Sequence, residues 1–407
     1  MMLARKTTSA TMPSTISAEV TSVRTETTLK PSRREVFGSK ATRSEAAPMR
    51  GSAGSGAGPW SGGIPTTRLA NRVSLPASSG CGDTSFAYPV GVSDLETRPV
   101  GGGVLQATVV GLGCNNFGRR VDAEGATRVV NAALEEGITF FDTADMYGGG
   151  QSEEMLGAAL KGRRAEVVIA SKFGHSSGCE GRSGGSRRWI RIAVEASLRR
   201  LDTDWIDLYQ LHTPDPATPI EETLETLTEL VSEGKIRCAG SSNLLSWQIA
   251  DADWVARSRG LTRFVTAQNE YSLLDRSVEE AVIPACAHFG VGMIPYTPLA
   301  NGLLTGKHRR GRPPVPGTRL ATAPGAGAQR WLTDSNFDIV EVLEDFARER
   351  GASLLDVAIG GLVAQPQVVS VIAGATSPEQ VRANARAGRW RPSAADLEEL
   401  DRVAPRR

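Results

Sequence analysis

The chain has 407 residues, of which 40% are hydrophobic and 22% charged, and its 46 Lys and Arg against 45 Asp and Glu leave a net charge of +1. That length suits two domains, or one large domain with an extension. The near balance argues against a whole surface built for nucleic acid, and no run approaches the ~18 uninterrupted apolar residues of a membrane helix. The balance hides an asymmetry, because residues 1–91 hold 11 basic and 5 acidic residues whereas residues 92–407 hold 35 and 40. Five cysteines (Cys81, Cys114, Cys179, Cys238 and Cys286) are odd in number and widely spaced, with no CxxC pair. This excludes a disulfide framework or structural zinc site and fits reduced thiols in a cytoplasmic protein. His175, His212, His288 and His308 are too scattered for a metal motif.

Residues 1–91 are rich in Ser, Thr, Gly, Ala and Pro, and Phe37, Trp60, Phe86 and Tyr88 are their only aromatics. Such a tract cannot bury enough apolar surface to offset its ordering entropy, so disorder is expected. Ser32-Arg33-Arg34-Glu35-Val36-Phe37 faintly resembles a twin-arginine export signal, but Gly38–Arg43 is no apolar h-region. A transit peptide, or a reading frame assigned too far upstream of a start near Val90 or Val92, explains the tract better.

From residue 92 strands alternate with helices. Leu105–Val110 is predicted as the first strand. Asp122 caps a helix to Glu136 that Gly137 ends. Then come strand 138–141, helix 152–160, strand 167–170 and helix 189–201, the last with Ile192, Leu198 and Leu201 facing inward. Strands follow at 205–211, 236–240, 264–268, 291–295 and 368–373. The helices between and after them are 220–233, 246–257, 278–289, 335–349, 353–364 and 378–387, and residues 302–332 read as a long Gly/Pro loop. Short, continuously apolar strands with crossover helices mean a covered parallel sheet. Eight such units close into a (β/α)8 TIM barrel over residues 92–407. An open doubly wound sheet would carry Gly-x-Gly-x-x-Gly after its first strand, a spacing that Gly111-Leu112-Gly113-Cys114-Asn115 breaks.

Barrel active sites lie past the C-terminal strand ends. There stand Asp142 and Tyr147 after the second strand, Lys172 after the third and His212 after the fourth. Ser242 and Asn243, Gln268 and Asn269, Tyr296, and Gly374–Thr376 follow the remaining strands. Each alone has a structural reading, as a helix cap, a loop aromatic or a turn residue; their convergence in one barrel mouth does not. Tyrosine, with a pKa of ~10, is a weak acid near neutrality, and a nearby ammonium lowers that value. Lys172 can supply the charge, Asp142 can hold the lysine, and His212 can donate to a substrate oxygen. The set makes a general acid beside a carbonyl, without a nucleophile or metal, so electrons must come from a bound cofactor. A hydrolase using Ser241 or Ser242 with His212 would lack a Gly-x-Ser-x-Gly elbow.

Phe141-Asp142-Thr143-Ala144-Asp145-Met146-Tyr147-Gly148, Ala170-Ser171-Lys172, Asp207–His212, Gly234–Asn243 and Gln268–Ser272 resemble the aldo/keto reductase signatures. Tyr296–Gly302 and Gly374–Gln380 extend the likeness, which covers about residues 94–405 and looks most like the branch of bacterial reductases and potassium-channel β subunits. The resemblance implies a catalytic tetrad of Asp142, Tyr147, Lys172 and His212, reducing a small carbonyl substrate with NADPH, NADH remaining possible. It implies that Ser242, Asn243 and Gln268 hold the nicotinamide carboxamide and that Tyr296 stacks on the ring. Thr297, Pro298, Leu299, Ala300, Asn301 and Lys307 would follow the pyrophosphate, and Arg319, Thr376, Gln380 and Asn384 the adenosine end, with Arg382 a possible further contact to a 2′-phosphate. Cys114 and Asn115 stand where the first strand-end loop meets the cofactor. Cys114 replaces the family's frequent Thr or Met, and Gly374 replaces a lysine of some branches. A regulatory barrel that binds the cofactor as a redox sensor is the alternative reading.

Overall fold

The computed structural model describes residues 95–175, 184–322 and 326–406. The expectations for residues 1–91 therefore lie outside the described residues. The described chain opens with a hairpin of β1 (Thr97–Val100) and β2 (Leu105–Thr108), paired antiparallel from Thr97 opposite Thr108 to Val100 opposite Leu105. The barrel strands follow: β3 (Val110–Gly113), β4 (Phe140–Asp142), β5 (Val168–Phe173), β6 (Ile206–Leu211), β7 (Ile236–Ser242), β8 (Phe264–Glu270), β9 (Gly292–Tyr296) and β10 (Val371–Gly374). All eight pair in parallel in the order β10-β3-β4-β5-β6-β7-β8-β9. The ring closes between β9 and the segment before β10, where the Met293 amide donates to Gln367 O at 2.7 Å and the Val369 amide to Met293 O at 2.9 Å. The (β/α)8 barrel expected from the alternation is the observed fold.

The helices are α1 (Ala123–Glu135), α2 (Gln151–Ala159), α3 (Arg187–Leu201), α4 (Ile220–Ser232), α5 (Ser246–Arg259) and α6 (Val282–Phe289). Two short turns, α7 (Arg319–Thr322) and α8 (Ala326–Gln329), interrupt the region read as a Gly/Pro loop. Then come α9 (Asp334–Glu349), α10 (Leu354–Val363), α11 (Pro378–Ala387) and α12 (Ala394–Val403). As expected, the Asp122 carboxylate caps α1 by accepting from the Gly125 amide at 2.8 Å. No helix among the described residues is long and apolar enough to cross a membrane.

Two sequence expectations are corrected, and one helix lies beyond them. The stretch read as one strand, Leu105–Val110, is divided at Val109: its first part belongs to the hairpin and the barrel begins at Val110. Val100, Leu105 and Ala107 of the hairpin pack with Phe140, Val168, Leu208 and Ile294 from inside the barrel, so the hairpin plugs the N-terminal end. On α3 the buried stripe is Ile190, Val194, Leu198 and Leu201, whereas Ile192 is half exposed. At 100° per residue Ile192 lies about 200° from Ile190, on the far face. Finally, α12 was not foreseen, although Ser393 and Asp396 form a capping box at its start.

Candidate active site

Side chains alternate along each strand, so residues two apart share the barrel interior. On β5, Ala170 joins the interior cluster, Lys172 follows it at the C-terminal end, and Ser171 between them turns outward to Glu153 on α2. On β6, Leu208 faces inward and Gln210 and His212 continue its row. The loop after β4 carries Tyr147 into a turn whose glycines, Gly148, Gly149 and Gly150, all have positive φ. A side chain at Gly148 would bring its Cβ to 2.8 Å from Phe117 O, so this turn requires glycine as well as a left-handed backbone.

These elements bring the four predicted tetrad residues together. Lys172 is fully buried, and its Nζ donates to Asp142 Oδ1 at 2.5 Å, to Thr143 O at 2.9 Å and to Tyr147 Oη at 3.4 Å. Asp142 Oδ2 accepts from Gln268 Nε2 at 2.8 Å and Gln210 Nε2 at 3.4 Å. The rings of Tyr147 and His212 meet edge to face with centroids 5.8 Å apart, and His175 meets His212 at 5.0 Å.

Burial, then the Lys172 and His175 charges, push the His212 imidazole down to about 2, so it is neutral at working pH. Burial opposes the charge on Lys172, but Asp142 and Tyr147 outweigh it and hold the ammonium above its usual range. For Tyr147 the expected direction is corrected. Lys172 does pull its pKa downward, but burial is the larger effect and the phenol ends above its usual value. The ring therefore carries its proton at neutral pH, the state a general acid needs.

A cavity of about 710 Å³ opens from this cluster across the C-terminal strand ends. Its wall includes Asp142, Tyr147 and His212, then Asn115, Ser242, Asn243, Gln268 and Tyr296, then Thr297, Pro298, Leu299, Asn301, Lys307 and Arg319, and finally Gly374, Thr376, Gln380 and Asn384. Lys172 lies beneath the wall, touching Tyr147 from below. Two predicted cofactor residues do not reach the cavity. The Cys114 side chain is buried in the outer core, where burial pushes its thiol far up, and Ala300 is likewise fully buried. Arg382 lies outside it as well, paired with Glu135 at 3.1 Å. The Asn243 amide is already engaged, its Nδ2 donating to His212 O and its Oδ1 accepting from Tyr296 Oη at 2.8 Å. It ties three strand ends together.

Four non-glycine residues with left-handed backbones, Asn243, Thr297, Ala300 and Asn301, cluster in the strand-end loops around this cavity. Such conformations cost free energy and persist where the surroundings impose them.

Several wall residues escaped the sequence reading: Asn116, Arg120, His175, Thr213 and Thr318. Gln210, which supports Asp142 from below, was legible in principle, since it stands two positions before His212 on one strand. Arg120 was not, because it lies seven residues past its strand, where no periodicity applies.

Residues 109–405 match the aldo/keto reductase family. A probable voltage-gated potassium channel subunit beta of Oryza sativa subsp. japonica is 34% identical over 275 residues, which span 67% of this chain and 84% of that relative. The uncharacterized oxidoreductase YrpG of Bacillus subtilis is 36% identical over 290 residues, 68% of this chain and 86% of its own length. Among solved structures, the holo form of aldo-keto reductase AKR11C1 from Bacillus halodurans is similar at 32% identity and a TM-score of 0.62, covering 76% of this chain and 96% of its own.

Proposed function

The chain belongs to the aldo/keto reductase family and is an oxidoreductase, and from its site we propose that it reduces an aldehyde or ketone to an alcohol with NADPH, Tyr147 giving the proton. The observation that carries this reading is a phenol kept protonated by burial, with a lysine ammonium 3.4 Å from its oxygen, in the wall of a cavity of about 710 Å³.

The residues fit such a cofactor. Tyr296 lines the cavity with Asp142, Tyr147 and His212 of the tetrad, Gln268 bonds Asp142 through its amide, and Lys307 and Arg319 line the same cavity. Bound there, the nicotinamide would supply a hydride to the carbonyl carbon. The chain's part is the proton and the charge. Tyr147 donates its hydroxyl proton to the carbonyl oxygen as negative charge builds there. The phenolate left behind faces Lys172, whose ammonium stabilises it, and Asp142 holds that ammonium in place through the 2.5 Å contact. His212, neutral at working pH, can donate a single hydrogen bond and so orients the carbonyl oxygen without competing as an acid. Tyr147 then regains a proton from solvent.

Preference for NADPH over NADH is part of the reading, supported by the cationic side chains Lys307 and Arg319 in the cleft wall, and Arg319 is the residue we assign to the adenosine side. A cytosolic setting fits Cys114, Cys238 and Cys286, which are free, buried thiols. The test is steady-state oxidation of NADPH by the full chain with a panel of aldehydes, ketones and sugars. Continuous turnover, faster with NADPH than with NADH, is expected. Binding of NADPH without turnover of any carbonyl would contradict the enzymatic reading and leave a cofactor-sensing barrel.

A further inference from the structure

Tyr147, Lys172, Asp142 and His212 account for the proton and its charge. His175 has no part in that account, although it lies in the same wall. Of the four histidines, His175 and His212 line the cavity, whereas His288 and His308 do not. His175 follows Phe173, the last residue of β5, after Gly174. Gly174 has a φ of +86°, and a Cβ there would fall 2.7 Å from Gly184 O, so the strand can leave the barrel in this direction only through glycine. Beyond that turn the His175 ring lies beside the His212 ring, centroids 5.0 Å apart and planes crossed at 65°.

A histidine kept for packing alone normally has its buried nitrogen bonded to the protein. Here His175 Nδ1 is buried without a hydrogen-bond partner, and so is His212 Nδ1. Neither ring nitrogen of His175 bonds a described residue; its contact is the ring of His212. Thr213, in the same wall, turns its hydroxyl to Gly174 O at 3.4 Å and does not supply the missing partner. A neutral imidazole carries one N–H and one bare nitrogen, so it can give a hydrogen bond or accept one. A hydroxyl also does both and matches either nitrogen. Two such rings side by side suit two oxygens on neighbouring carbons, His212 taking the carbonyl oxygen and His175 the next.

We propose that His175 is a specificity-determining residue that binds a hydroxyl on the carbon next to the reacting carbonyl, so that the chain favours 2-hydroxy aldehydes and ketones over those without the hydroxyl. The proposal rests on the carbonyl-reduction reading above.

The test is steady-state kinetics of the full chain with NADPH on 2-hydroxypropanal and 2-methylpropanal, which differ by a hydroxyl in place of a methyl. Wild type, His175→Phe and His175→Gln are compared. The quantity read is the kcat/KM ratio of the hydroxy to the methyl substrate, because the intrinsic reactivity of the two carbonyls cancels between variant and wild type. A single neutral hydrogen bond is worth a factor of roughly 3–10. His175→Phe keeps a ring and removes both nitrogens, so the ratio should fall by about that factor. His175→Gln keeps a donor and an acceptor and should retain part of it. A purely structural role would lower both substrates together and leave the ratio where it was. An unchanged ratio in His175→Phe, whatever the absolute rates, therefore overturns the proposal and leaves the reductase reading intact. A wild type that turns over neither aldehyde nor any other carbonyl overturns that reading and the proposal with it.

Discussion

Behind the tetrad, Asp145 is mostly buried with its Oδ1 unbonded, while Glu153 is fully buried and takes both Ser171 and Arg200. Two carboxyls thus compete for one guanidinium. Burial and then Glu153 hold the Asp145 carboxyl up at about 7, against 3.8 in an unstructured chain, with Arg200 only partly opposing. Between those values the folded chain keeps a proton that the unfolded chain has released, so stability falls as pH rises through that window. Above it the ionised carboxylate costs roughly 4 kcal/mol. Asp145→Asn keeps the shape of the protonated acid and removes this cost. Denaturant unfolding should therefore show the variant stabilised over wild type at about pH 8, with the gap closing near pH 4. An equal gap at both values would mean that Asp145 does not titrate there. His212, held neutral down to about pH 2, works in the opposite sense, its stabilisation being lost as pH falls below 6.5, but it cancels in this comparison. At this scale the sequence showed Asp142, Tyr147, Lys172 and His212, because their places relative to apolar strands are a property of order along the chain. It could not show which acid lacks a partner, nor that burial outweighs Lys172 at Tyr147. Those are balances of solvation against charge, set only when distant strands meet.

The elements that resisted reading are those without a periodic signal of their own. The β1–β2 hairpin has four-residue strands joined through Gly101, Gly102 and Gly103, too short for alternation to register. Only Val109 separates β2 from β3, so two strands of opposite role looked like one. The hairpin matters for stability, because Leu105 is fully buried in the lower barrel. Leu105→Ala should destabilise the fold by about 2–5 kcal/mol, read as a lower denaturant midpoint. Turnover by the folded variant should hold, since the plug sits at the end of the barrel away from Tyr147. A loss of turnover without a loss of stability would place the hairpin in the catalytic apparatus. By contrast α1, α4 and α11 follow their predicted spans closely, because a cap or proline at the start and an amphipathic stripe are local features.

At the scale of the whole molecule, neighbouring strands bring Asp142, Lys172, Ser242 and Gln268 to their converging C-terminal ends, and the barrel turns that repeated placement into one cleft. The change in charge and composition near residue 91 was equally legible, and we propose that the catalytic unit begins there. A chain starting at Val92 should fold with unchanged melting temperature and kinetics; aggregation or loss of turnover would show that the preceding residues contribute to the barrel. The central claim is narrower: Tyr147 gives the proton. Tyr147→Phe keeps the ring and removes only the hydroxyl. Measured side by side, carbonyl reduction by this variant should fall by roughly 10²–10⁴-fold while NADPH affinity stays close to wild type. Retention of more than about a tenth of wild-type turnover, with cofactor binding intact, would contradict the assignment.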